Sequence, residues 1–136
     1  MRLFTIRLRQ NQDLRQGIQK FAAKEKIQAG FIISCVGALK SLNIRMAGAT
    51  AGKMVVKKID EDFEIVSLVG TLIENDCHLH ISAANSQGGV IGGHLKEGTI
   101  VGTTAEIVIG CDENVIYTRE PDENTGFEEL VVRIKK

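Results

Sequence analysis

At 136 residues, with 43% apolar and 25% charged side chains, the chain has the composition of one globular domain, long enough to bury a core. No stretch approaches the roughly 20 apolar residues that cross a bilayer, and the apolar run at residues 1–7 is too short for a signal peptide. Three cysteines, Cys35, Cys77 and Cys111, form no Cys-x-x-Cys pair and read as reduced thiols of a cytoplasmic protein. The net charge of zero conceals a split: residues 1–58 hold 12 Lys/Arg against 2 Asp/Glu, and residues 59–136 hold 5 against 15. The basic residues are dispersed, and the whole chain has one Tyr and no Trp to serve as a stacking platform. Two halves that face each other, within a subunit or across an oligomer interface, fit this better than a nucleic-acid face.

Residues 2–9 alternate, Leu3, Thr5 and Arg7 against Phe4, Ile6 and Leu8, and predict a first strand. Asn11 is a favourable N-cap, and Leu14, Ile18, Phe21 and Ala22 share one helical face, so a helix is expected over about 12–28, closed by Gly30. Residues 31–37 predict a buried strand, with shorter strands at 42–47 and 54–58 separated by Gly48 and Gly52. Residues 63–73 and 77–84 predict a hairpin around Glu74-Asn75-Asp76. Asn85-Ser86-Gln87-Gly88-Gly89 reads as a turn, and residues 90–95 as an irregular segment held against the sheet. A strand over 99–109 places Thr104 and Glu106 on one face and Thr103, Ala105 and Ile107 on the other. A turn at Glu120-Pro121-Asp122 precedes a last strand at 129–134. Together these elements describe a single domain of α/β or α+β type over 1–136, with one main helix near the N-terminus and a mainly antiparallel sheet of about seven strands.

All three histidines fall within seventeen residues: His78 and His80 in Cys77-His78-Leu79-His80, and His94 after Gly92-Gly93. Two histidines two apart on a strand leave the same face, and neutral imidazole is the commonest side-chain metal ligand. The glycines Gly88, Gly89, Gly92 and Gly93 let the backbone return His94 toward that pair. Three nitrogen donors leave a fourth position open to water, a substrate or a carboxylate such as Glu106. The competing reading is a hydrogen-bonded network tying the glycine stretch to the sheet. Other chemistry is poorly supported. The glycines lack the Gly-x-Gly-x-x-Gly or P-loop spacing, Ser82 and Ser86 sit in no nucleophile elbow, and Cys77 should face away from His78 into the core.

The segments Phe63-Glu64-Ile65-Val66-Ser67-Leu68-Val69-Gly70-Thr71-Leu72, His78-Leu79-His80-Ile81-Ser82, Gly88-Gly89-Val90-Ile91-Gly92-Gly93-His94-Leu95 and Gly98-Thr99-Ile100-Val101, in this order, resemble the plant and prokaryote conserved domain, called PPC or PCC. The resemblance covers essentially the whole chain, and its pattern includes all three histidines. It implies a homotrimer of α/β subunits. In plants the domain follows AT-hooks in nuclear DNA-binding proteins and mediates self-association and contact with protein partners. Stand-alone prokaryotic members carry a provisional DNA-binding label. This chain has no Arg-Gly-Arg-Pro core of an AT-hook, so any DNA contact is expected to be weak or indirect. The expectation is therefore a trimeric binding or regulatory module with a divalent metal such as zinc at His78, His80 and His94. The alternative is a metal-dependent enzyme or small-molecule sensor built on the same site.

Overall fold

The computed structural model describes residues 1–136. Strand β1 (Arg2–Arg9) turns Phe4, Ile6 and Leu8 inward, as its alternation predicts, and leads into helix α1 (Leu14–Lys24). The helix is shorter than the expected span, and its cap is Asp13, not Asn11. The Asp13 carboxylate accepts from the Gln16 N–H at 3.0 Å and from the Gly98 N–H at 2.7 Å, anchoring the helix start to the sheet. Asn11 instead takes a positive φ of 72° in the tight turn before it. At the other end Lys26, at φ 53°, breaks the helix, and the Ile27 N–H donates back to the Ala22 carbonyl. Leu14, Ile18 and Ala22 are buried against the sheet, the face their spacing defines.

The two strands expected at 31–37 and 42–47 are one sixteen-residue strand, β2 (Gly30–Arg45). Gly37 does not end it: a Cβ there would lie 2.1 Å from the Thr104 carbonyl oxygen, so the glycine marks close backbone approach, not a break. The chain continues through β3 (Val56–Ile59), β4 (Phe63–Ile73), β5 (Asp76–Ala84), β6 (Val90–Leu95) and β7 (Ile100–Cys111). Residues 90–95, expected to be irregular, form a regular strand because β5 on one side and the end of β2 on the other both pair with it.

These strands form one antiparallel seven-stranded sheet in the order β1-β7-β2-β4-β5-β6, with β3 beside β2. The extra pairing of β6 with β2 means that β2, β4, β5 and β6 curl into a closed ring. The ring and helix enclose the core, in which Leu39, Leu42, Ile44, Leu72, Leu79 and Leu95 are almost wholly buried. Burial of such side chains supplies about 1.5–3 kcal/mol each. Thr99, also fully buried, accepts the Asn43 N–H at 3.0 Å and lies 3.1 Å from the Asn43 and Lys96 carbonyls, tying the end of β2 to the β6–β7 link. The expected single last strand is half of a separate hairpin, β8 (Val115–Pro121) with β9 (Glu128–Ile134). Its turn follows Pro121, where Gly126 N–H donates to the Asp122 carbonyl at 2.9 Å. No helix is long and apolar enough to cross a membrane.

Candidate metal centre

Strand alternation sends Cys77, Leu79 and Ile81 of β5 into the core and His78 and His80 out of it. On β4, Thr71 and Val69 stand opposite His78 and His80. On β6, His94 is the direct cross-strand partner of both His80 and Arg45. Gly93 makes this possible. A Cβ there would meet the Arg45 carbonyl oxygen at 2.5 Å, so only glycine lets β6 close against β2 and deliver His94 to the pair. Gly92 lies beside it on β6, whereas Gly88 and Gly89 belong to the preceding turn, where the Asn85 side-chain oxygen accepts from the Gln87 and Gly89 N–H groups at 3.0 and 2.9 Å.

The three rings converge as the spacing predicts. Their centroids lie 5.0 Å (His78–His80), 5.1 Å (His78–His94) and 5.7 Å (His80–His94) apart, and one nitrogen from each lies within 4.8 Å of the others. His78 Nε2 and His80 Nε2 are 3.2 Å apart. Two nitrogens bound tetrahedrally to zinc at 2.0–2.1 Å stand about 3.3 Å from each other, so this pair already has the separation a bound ion requires. Burial, then the neighbouring His80 and Arg119, holds the His78 pKa below its ordinary value. Burial, then the Arg45 guanidinium, lowers His94 to about 4. Both rings are therefore neutral near pH 7, the form that donates a lone pair to a metal.

Glu106 is not part of this group. It lies exposed on β7, opposite Arg7 and Val36, and β2 and β4 separate β7 from β5. Among the carboxylates that the subunit does bring near the histidines is Glu129 on β9, which with His78 and Arg119 lines a hollow of about 290 Å³. An adjoining hollow of about 220 Å³ is lined by Arg15, Arg45, His78, His94, Arg119 and Glu129, among others. Arg119 Nη2 donates to Thr71 Oγ1 at 2.8 Å, and its Nε lies 3.9 Å from Asp76. The Arg45 guanidinium lies over the Phe127 ring at 5.4 Å and places Nη2 3.4 Å from His94 Nδ1. Sequence reading missed these neighbours because Arg119, Phe127 and Glu129 reach the site only through the unforeseen hairpin. Arg45, at the end of β2, carried the one usable signal: a cation at a strand end.

The profile of the Plants and Prokaryotes Conserved (PCC) domain matches residues 1–111, which include all three histidines but not the β8–β9 hairpin. Two Synechococcus proteins named bifunctional protein GlmU are 38% and 35% identical over 96% and 98% of the chain, which spans a fifth of the length of either. A hypothetical protein of Salmonella enterica has a structure similar at TM-score 0.91 and 29% identity, covering 99% of this chain and 95% of that one. A metal-containing protein of Archaeoglobus fulgidus is similar at TM-score 0.81 and 29% identity, with 96% and 94% covered. A Bacteroides thetaiotaomicron protein named as a candidate DNA-binding protein shares the fold at TM-score 0.84 and 22% identity, with 95% and 91% covered.

Proposed function

The chain belongs to the Plants and Prokaryotes Conserved domain family, and from that premise we propose that it is a trimeric binding or regulatory module carrying a divalent metal such as zinc on His78, His80 and His94. The observation that carries the metal is the 3.2 Å approach of two Nε2 atoms, with the third donor close by and with His78 and His94 held neutral by burial. A hydrogen bond accounts for one such approach but not for a third ring turned to the same point. The metal-containing archaeal relative supports the same reading. When bound, the ion supplies a Lewis-acidic centre with one position open to a ligand. The hollows beside it keep a second reading in play, in which the site is that of a metal-dependent enzyme or small-molecule sensor.

The module reading draws on the two GlmU relatives, in which a unit of this size makes up a fifth of a much longer chain. It also draws on exposed apolar side chains on the outside of the sheet, Leu3, Ile33, Val36, Val66 and Val69, each at least half exposed in the single subunit. Self-association covers such a surface together with the free edge of β1. The partners expected are other copies of the chain and further proteins, with DNA contacted weakly or indirectly. Elemental analysis of the purified protein, together with its mass by light scattering, tests the proposal: one divalent ion per chain in a trimer supports it, and a metal-free monomer that takes up no zinc refutes it.

A further inference from the structure

The hollow beside the histidines contains three arginines, and their partners differ. Arg15 reaches Asp76 at 3.5 Å and Glu97 at 3.7 Å, and Arg119 reaches Asp76 at 3.9 Å as well as Thr71. Arg45 has no carboxylate within 4.0 Å, and its contacts are the Phe127 face, the Met54 sulfur at 3.9 Å and His94. Its guanidinium is thus a half-buried cation resting over an aromatic ring, with Nη2 turned to His94 of the three-histidine centre. Three neutral imidazoles bring no negative charge of their own to a divalent ion. An anion in the open position offsets part of the ion's charge, and Arg45 adds a further positive charge from the side.

Resting on the metal reading, we infer that the fourth coordination position takes a small carboxylate monoanion, one of whose oxygens is bound by the ion while the carboxylate is held by Arg45. The volume, about 220 Å³, is below the roughly 300–1,000 Å³ of pockets for drug-sized ligands and suits a molecule of a few heavy atoms. Planar carboxylate matches the fork of a guanidinium fixed on one face. The wall also carries Asp76, Glu128 and Glu129, which disfavour the second negative charge of phosphate. The family profile ends at residue 111, yet Phe127 on the hairpin is what fixes Arg45, so this anion position is built jointly by the matched domain and the segment beyond it.

The test uses the full chain loaded with cobalt(II), whose visible absorption reports a change of ligand, titrated with glycolate as the probe and with inorganic phosphate as the comparison. Glycolate should shift the spectrum saturably, and Arg45→Gln should weaken its binding by about 10- to 100-fold, the effect of losing a charge-assisted hydrogen-bonded pair, while cobalt stoichiometry stays the same. Failure to take up cobalt would overturn the metal reading and this inference with it. Cobalt uptake with a spectrum indifferent to glycolate, or equal glycolate affinity in Arg45→Gln, would overturn the anion position alone. Tighter binding of phosphate would overturn the carboxylate assignment. Loss of cobalt from Arg45→Gln would make Arg45 a positioning residue for His94 and likewise end the proposal.

Discussion

Cys77 and His78 are adjacent in the chain and part at the sheet: the thiol enters the core, 3% exposed, and the imidazole leaves it. Burial raises the thiol to about 11, and Cys35 is raised to about 11 by the same cause. At pH 8 a thiol of that pKa is ionised to only about 0.1%, so both should react with iodoacetamide far more slowly in the native protein than in urea. Rapid labelling of Cys77 in the native state would contradict its placement. The histidines carry a pH dependence of definite sign. His94, lowered to about 4 when folded, takes up its proton in the unfolded chain first, near pH 6.5. The contribution of His94 to the stability of the metal-free protein should therefore decline as pH drops through 6.5 and reach its limit below about 4. His78 contributes in the same direction, so His94→Gln should flatten the decline in urea midpoint without abolishing it.

At the scale of elements, β6 is the part whose placement decides the site. Gly93→Ala inserts a methyl group 2.5 Å from the Arg45 carbonyl oxygen, so β6 must shift from β2. The expected cost is about 1–3 kcal/mol, measured by urea denaturation, with weaker zinc binding as His94 moves away. An unchanged midpoint would show that β6 closes less tightly than described. The first strand, the buried face of the helix and the β4–β5 hairpin were legible because their apolar residues repeat at periods of two or 3.6, which local packing alone enforces. The convergence of His78 and His80 followed from the same period. The continuity of β2 through Gly37 was not legible, because the need for glycine there arises from Thr104 on another strand, far along the chain. The β8–β9 hairpin was half missed for a related reason: residues 115–120 are all partly exposed, so β8 carries no clean alternation, and Pro121 reads as a breaker although it merely ends that strand. Glu106 was a reasonable carboxylate by sequence, but strand order sets β7 apart from β5, and the separate β8–β9 hairpin brings Glu129 to the histidines instead.

For the whole molecule, light scattering at micromolar concentration should give about three times 14.9 kDa, the closed assembly that covers the apolar outer face. Val36→Asp, on that face and 62% exposed in the subunit, should lower the mass without unfolding the chain. Duplex DNA should bind weakly, without sequence preference, and less with added salt, since the net charge is zero and no AT-hook is present. Nanomolar, sequence-dependent binding at physiological salt would mean that the basic half of the chain forms a recognition face after all. Metal binding by the nitrogens of His78, His80 and His94 is the property on which the rest depends. Its most direct test is zinc titration by calorimetry of the chelator-stripped protein beside His80→Ala, in which the fold should persist because His80 is exposed on the outer face of β5. One ion per chain is expected in the wild type, and little or none in the variant at equal helix and sheet content. Absence of zinc binding in the wild type, or equal binding in both, would contradict it.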